Sequence, residues 1–265
     1  MKLSGGWSAF RTSAEPSPFA PPPKLPVNAV FESAVSVFCD KETLPPHSNF
    51  WRDLIETPEA NLYAALGVHP HEAKHYNDEI EEAIVSALQH PRAVAWGEMG
   101  LDYHYNLSPP EVQRQVFERQ LRMAMKLEKP MIIHTREAED DTFEIMTKVV
   151  PQDYGRKIHV HCFTSSISLA RRLLAHYPDV VFFGFTGVIT FKNAEDIRQT
   201  VAEVPLNRIL LETDGPFMAP VPYRGKVAHP GHIPYVAQTI ADVKKVSLEE
   251  VLETCRANTQ TVYGI

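Results

Sequence analysis

The stretch AVAWGEMGLDY, residues 93–103, places Glu98 directly after an apolar run and between two glycines. Such a run is typical of a buried strand, and a carboxylate at the end of a buried strand is costly unless a cation or hydrogen-bond donors meet it. The fold therefore has to bring a positive partner to Glu98, and the rest of the sequence indicates what that partner is.

Seven apolar runs, this one included, recur along the chain with helical patterns between them. The clearest helical pattern covers residues 109–129, and similar ones cover 78–90, 165–177 and 193–204. Near-continuous apolar strands that alternate with helices indicate a parallel sheet covered on both faces. The runs are AVFESAVSVFC (29–39), NLYAALGV (61–68), AVAWGEM (93–99), PMIIHT (130–135), KIHVHCF (157–163), DVVFFGF (179–185) and RILLETD (208–214).

Polar residues lie at or just after the C-terminal ends of five of these runs, and their placement favours one architecture. The carboxyl ends of the strands in a parallel barrel meet at one mouth, where active sites are built. An open doubly wound sheet is the alternative, but no glycine-rich phosphate-binding turn follows any run. We therefore predict a TIM-type (β/α)8 barrel, of which the seven runs supply one strand fewer than eight. The polar residues are His69, His71, Glu98, His134, His161 and Asp214.

The predicted barrel covers residues 27–265. Residues 1–26 show no helical or strand period and end in FAPPPKLP, which holds four of the chain's 22 prolines, so we predict a loop or disordered leader there. The net charge of −7 argues against broad, sequence-independent binding of duplex DNA. No membrane span or secretory signal is evident, so we expect a cytoplasmic or nuclear protein without membrane contacts.

Glu98, His134, His161 and Asp214 form the candidate metal-binding set. Imidazole and carboxylate together suit zinc, manganese or iron, and carboxylate-rich sites suit magnesium. Each residue taken alone has a simpler explanation: a histidine is often a hydrogen-bonded structural residue, Glu98 can pair with Arg136, and Asp214 can cap a turn. Four such residues at four strand ends favour the metal site.

Nearby residues carry weaker signals. Arg136 and Arg224 are candidates for binding phosphate, against the alternative that each is an ordinary surface charge. His159 shares a strand face with His161, and we expect it to be packed or to support a ligand. Cys162 is predicted to point the other way, into the core.

Five motifs together resemble the TatD family of metal-dependent deoxyribonucleases, from about residue 30 to the C-terminus. The resemblance implies an amidohydrolase-like distorted barrel that hydrolyses phosphodiester bonds in DNA, often from the 3′ end of single strands. It also implies up to two divalent cations, with magnesium expected first and zinc or manganese as alternatives. The motifs are GVHPH (67–71), GEMGLDY (97–103), IIHTRE (132–137), HCFTSS (161–166) and LLETDGPF (210–217).

The resemblance also implies roles for the metal-binding set. Glu98 would be shared between the two metals, while His134 and His161 would bind one of them. Asp214 would be both a ligand and the base that orients the attacking water, so Glu98 and Asp214 are the catalytic candidates. The partner implied is single-stranded DNA or a DNA end.

The substrate-binding candidates are a separate group. Arg136 and Arg224 would hold phosphate oxygens, and His69 and His71 would lie along the substrate.

Two departures from the family pattern leave the activity of this form open. Family members begin with a strand that bears an Asp-x-His-x-His motif and supplies two ligands, and it has no match here. The resemblance therefore implies a distorted TIM-type (β/α)8 barrel whose first strand is missing, and we expect the second metal position to be poor in ligands. AHPG (228–231) stands where many members have Asn-Glu-Pro. The alternatives are a non-catalytic interaction scaffold and an amidohydrolase of the aminoacyl-tRNA deacylase type.

Overall fold

The computed structural model describes residues 31–58, 60–105 and 107–265. These residues form seven parallel strands in one sheet, and each predicted apolar run contributes one strand. The predicted leader (1–26) and the predicted start of the barrel at residue 27 lie outside the described residues. The strands are β1 (Ala34–Phe38), β2 (Leu62–Leu66), β3 (Ala93–Asp102), β4 (Met131–Arg136), β5 (Ile158–Val160), β6 (Val181–Phe185) and β7 (Ile209–Leu211).

An α-helix follows every strand, and a further helix ends the described chain. The four predicted helical patterns correspond to α2, α3, α5 and α6. None of the described helices is both long and apolar enough to cross a membrane. The helices are α1 (Phe50–Ile55), α2 (Asp78–Ala87), α3 (Pro110–Lys126), α4 (Glu139–Val149), α5 (Ile167–His176), α6 (Glu195–Glu203), α7 (Ile233–Lys244) and α8 (Leu248–Tyr263).

The sheet is curled. Its strands lie in sequential order from β1 to β7, whereas a doubly wound sheet reverses its strand order. In a flat sheet, β3 and β7 would be about 19 Å apart at a spacing of ~4.8 Å per strand. Glu98 of β3 and Asp214 after β7 nevertheless each have an oxygen 3.8 Å from Nε2 of His161. The described chain therefore forms a TIM-type barrel with one strand fewer than eight.

Both faces of the sheet are buried, which explains the near-continuous apolar runs. In β4, Met131 and Ile133 belong to the large core that also contains residues of the surrounding helices. Ile132 faces the opposite way and packs with Ala65 and Ala95 in a separate small cluster. Since side-chain direction alternates along a strand, the small cluster lies in the barrel interior.

Two buried glutamines of α3, which the apolar pattern did not include, tie this helix to the strand ends. The side chain of Gln113 accepts from the N–H of Asp102 at 2.8 Å and donates to its carbonyl at 3.0 Å. Gln120 accepts from the N–H of Val68 at 2.8 Å and from the indole of Trp96 at 3.1 Å. The polar residues at the mouth are thereby held by α3 as well as by the sheet.

Candidate metal centre

Strand β3 is irregular where it carries Glu98. Between Trp96 and Met99 it holds one more residue than the facing segment of β4, which is a bulge. Bulges re-aim side chains, and Glu98 lies within this one, buried. Two residues later, a Cβ on Gly100 would lie 1.9 Å from the carbonyl oxygen of His134, so only glycine allows β3 and β4 this close approach.

The first candidate ligand group, here called the Glu98 cluster, consists of His69, Glu98 and His134. Each residue offers one ligand atom, and the three atoms lie within 4.8 Å of one another. Oε1 of Glu98 is 2.6 Å from Nδ1 of His134 and 3.7 Å from Nε2 of His69. Nδ1 of His69 accepts from the N–H of His71 at 3.1 Å, which leaves its Nε2 facing Glu98.

The second candidate ligand group, here called the Asp214 cluster, consists of His161, Cys162 and Asp214, again with ligand atoms within 4.8 Å of one another. The predicted core orientation of Cys162 is wrong. Strand β5 ends at Val160, so its alternation does not extend to residue 162. Cys162 instead adopts a left-handed φ of 41°, and its thiol is close to the ligand atoms of His161 and Asp214.

The four residues of the predicted metal-binding set therefore fall into two adjacent groups. Glu98 and His134 belong to one, His161 and Asp214 to the other, and Nε2 of His161 lies 3.8 Å from an oxygen of both carboxylates. His69, predicted to bind substrate, is the third member of the Glu98 cluster. We expected few ligands at the second metal position, and the imidazole of His69 offers one further candidate ligand.

Asp102 is a buried carboxylate that the sequence interpretation missed. Its Oδ2 lies 3.2 Å from Nε2 of His134 and 3.0 Å from Nε2 of His71. Its Oδ1 accepts from the N–H groups of His104 at 3.0 Å and Tyr105 at 3.2 Å. Asp102 thus holds His134 from the side opposite Glu98, and His71 lies behind the Glu98 cluster and outside it.

Glu212 is the second carboxylate that was missed. Its Oε1 lies 3.0 Å from Nδ1 of His161 and 2.7 Å from Nε2 of His159, and its Oε2 accepts from the N–H of Cys162 at 2.8 Å. Nδ1 of His159 contacts the hydroxyl of Tyr263 at 2.6 Å. His159 is therefore packed against the carboxylate that also contacts His161, and Nε2 of His161 is left to face Glu98 and Asp214. Glu212 lies near the end of its apolar run (208–214), as Glu98 does in its own (93–99), so the same argument would have found it.

Burial and charge shift the pKa values of these groups in different directions. Burial alone would raise the pKa of Glu98, but His161, His134 and His69 hold it well below its usual value. Burial lowers the pKa of His69 to about 3, which keeps this imidazole in the neutral form that binds metals. Burial also raises the pKa of Asp214, although His161 opposes the effect.

Neither of the two predicted phosphate-binding arginines forms an ion pair with a carboxylate among the described residues. The guanidinium of Arg136 lies 5.0 Å from the ring centroid of Tyr105, and among the described residues it has no ion-pair partner. Arg224 is exposed, with its guanidinium 4.4 Å from the ring centroid of Phe191. The simpler explanation that Glu98 pairs with Arg136 is wrong, because among the described residues the ion-pair partners of Glu98 are the imidazoles of His69, His134 and His161.

A divalent cation fits this site. In the described part of the chain, no lysine or arginine forms an ion pair with Glu98, Asp102, Glu212 or Asp214, so imidazoles are their only charged partners. The Glu98 cluster offers two nitrogens and an oxygen. The Asp214 cluster offers a nitrogen, a sulfur and an oxygen. Such donors bind divalent metals, and two positive charges would offset this concentration of buried carboxylates.

The curled parallel sheet, with its imidazole and carboxylate clusters at the strand ends, defines a metal-dependent hydrolase of ester bonds. A family model described as TatD related DNase matches residues 15–264. The chain therefore belongs to the TatD family.

Individual relatives agree with this assignment. The human 3'-5' RNA nuclease TATDN2 is 43% identical over 239 residues, which cover 89% of this chain but only 30% of that protein. The uncharacterized metal-dependent hydrolase YabD of Bacillus subtilis (strain 168) is 37% identical over 204 residues, or 77% of this chain and 78% of that protein. The crystal structure of YJJV, a TatD homolog from Escherichia coli K12, matches with a TM-score of 0.76 at 28% identity, covering 87% and 86% of the two chains. These comparisons confirm the predicted family, barrel and hydrolase class.

Proposed function

We propose that this chain is a divalent-metal-dependent nuclease that hydrolyses phosphodiester bonds in DNA, beginning at the 3′ end of single strands. The observation that carries the proposal is the meeting of Glu98 and Asp214 at Nε2 of His161, 3.8 Å from each. Glu98 is buried, whereas the side chain of Asp214 is 32% exposed. The site thus combines a buried candidate metal ligand, Glu98, with a carboxylate that solvent reaches, that of Asp214.

The residues divide the work of hydrolysis between them. Asp214 accepts a proton from the attacking water, and its raised pKa makes it the stronger acceptor among the carboxylates of the two clusters. Glu98 holds the imidazoles of both clusters in place. A bound divalent cation would supply charge stabilisation for the phosphoryl oxygens and lower the pKa of water.

Arg136 and Tyr105 form a suitable surface for a nucleotide beside the carboxylates. The guanidinium of Arg136 carries no competing ion pair among the described residues and is available to phosphate oxygens. The ring of Tyr105 is 48% exposed and offers a face on which a base stacks. The N–H groups of His104 and Tyr105 donate to Oδ1 of Asp102, so this surface is fixed to the end of β3.

RNA is the second candidate substrate. The human relative that is 43% identical over 239 residues is described as a 3'-5' RNA nuclease. The residues assigned here to metal and phosphate do not distinguish the two nucleic acids, since phosphate contacts carry no sugar information. The substrate has to be decided by direct comparison.

The test uses the full chain with 5′-labelled single strands of DNA and RNA in saturating magnesium, manganese or zinc. We expect stepwise shortening from the 3′ end, and Asp214→Asn should reduce turnover by about 10²–10⁴-fold because it removes the proton acceptor. Asp242→Asn, at an exposed position of α7, is the matched control and should retain activity. Circular dichroism of both variants checks the fold.

Two results would refute the proposal. One is the absence of hydrolysis of either nucleic acid with all three metals. The other is wild-type turnover by a folded Asp214→Asn variant. Cleavage of RNA alone would replace DNA as the substrate and leave the assignment of residues intact.

A further inference from the structure

Cys162 places a thiol inside the candidate metal centre. Its left-handed φ of 41° turns the side chain toward His161 and Asp214, with ligand atoms within 4.8 Å. The N–H of Cys162 donates to Oε2 of Glu212 at 2.8 Å, and this bond helps to hold the backbone in that conformation. A non-glycine residue at positive φ is uncommon and is held there only by its surroundings.

The thiol also contacts a second sulfur atom and a hydroxyl group. Its Sγ lies 3.7 Å from Sδ of Met218 and 3.5 Å from Oγ1 of Thr186. Sulfur ligands select zinc and other thiophilic metals, whereas magnesium takes oxygen ligands and retains its waters. The Glu98 cluster, by contrast, contains only nitrogen and oxygen donors.

We propose that His161, Cys162 and Asp214 form a thiolate-containing site that selects a zinc-class cation over magnesium, and that the two candidate metal positions therefore differ in preference. On binding, the S–H proton of Cys162 passes to solvent and a sulfur–metal bond forms. The thiolate and the Asp214 carboxylate then balance the two positive charges of the cation. The proposal concerns metal selectivity and holds whichever ester this chain hydrolyses.

Cobalt(II) is the probe, because it occupies zinc sites and gives an intense near-ultraviolet charge-transfer band only when a thiolate binds it. Metal-free wild-type protein titrated with cobalt should develop this band, and Cys162→Ser should not. The matched controls are Cys39→Ser, a half-buried thiol just after β1, and Cys255→Ser, a buried thiol in α8. Both controls should keep the band.

Zinc affinity gives a second readout that does not depend on activity. Losing a residue that only orients a metal ligand typically lowers metal affinity by ~10–100-fold. Cys162→Ser removes a proposed ligand itself, so it should weaken zinc binding by at least that factor, with little change in magnesium binding. X-ray absorption of the zinc-loaded wild-type chain should show a sulfur neighbour at about 2.3 Å, and this measurement needs no variant.

The proposal is overturned if wild-type protein gives no charge-transfer band, if Cys162→Ser keeps it, or if Cys39→Ser loses it. An absorption spectrum without a sulfur neighbour overturns it independently. None of these results depends on nuclease activity, so the proposed function and this proposal fail separately.

Discussion

Replacing Glu212 by glutamine tests whether this carboxylate positions His161. The side chain of Glu212 is 11% exposed and serves three donors: Oε1 contacts His159 at 2.7 Å and His161 at 3.0 Å, and Oε2 accepts from Cys162 at 2.8 Å. Glutamine keeps the shape but has only one oxygen. Whichever way the amide points, its NH₂ group faces at least one donor that has lost its acceptor.

The number of donors that lose their acceptor sets the expected loss of stability. A buried donor left without its partner costs ~1–3 kcal/mol, and hydrogen bonds to charged groups are the stronger ones. We therefore expect Glu212→Gln to lower the free energy of unfolding by about 2–4 kcal/mol. Metal affinity should fall by ~10–100-fold, as is typical when a partner that orients a ligating histidine is lost.

Urea unfolding of the metal-free protein and calorimetric titration with zinc measure the two effects. Glu203→Gln is the matched control, since Glu203 accepts two hydrogen bonds from Arg171, at 2.7 and 2.6 Å, on the exposed surface of α6. That control should stay close to wild type. Equal unfolding midpoints and equal metal affinities for Glu212→Gln and wild type would refute a positioning role for Glu212.

Three further predictions address other parts of the structure. The Cβ added by Gly184→Ala would lie 2.1 Å from Oε2 of Glu212 and 2.4 Å from Nε2 of His159. Because this displaces the carboxylate that contacts His161, we expect calorimetry to show a loss of zinc affinity of ~10–100-fold. An unchanged zinc affinity would contradict this prediction. Arg136→Ala should reduce the salt dependence of single-strand binding by about 0.7–1 in log–log slope, whereas an equal slope would assign Arg136 to packing alone. Burial lowers the pKa of His232 from 6.5 to about 4, so the unfolded chain binds more protons and stability falls as pH drops from 6.5 toward 4. His232→Gln should lessen the fall in urea midpoint between pH 7 and pH 5, and an identical fall would exclude His232 as its source.

The sequence predicted the strands and most of the residues that meet at the candidate metal centre because simple physical rules govern their positions. A strand buried on both faces must be apolar throughout, and parallel strands in a barrel bring their carboxyl ends together. Those two rules account for the positions of Glu98, His134, His161 and Asp214 at the mouth of the barrel.

The remaining features depend on tertiary contacts that no local pattern encodes. The bulge at Glu98 and the close approach at Gly100 extend β3 to Asp102, beyond its apolar run. The left-handed turn at Cys162 reverses the side-chain direction that strand alternation implies. The burial of Gln113 is visible only once the backbone of Asp102 is placed beside it.

The contact between His159 and Tyr263 bears on how the protein is made. The two residues are 104 positions apart in sequence, and Tyr263 lies in the last turn of α8. A ribosome adds about 5–20 residues per second, so β5 is synthesised about 5–20 s before the tyrosine that secures its histidine. We therefore expect the centre to be completed, and metal to be bound there, only after α8 has been synthesised.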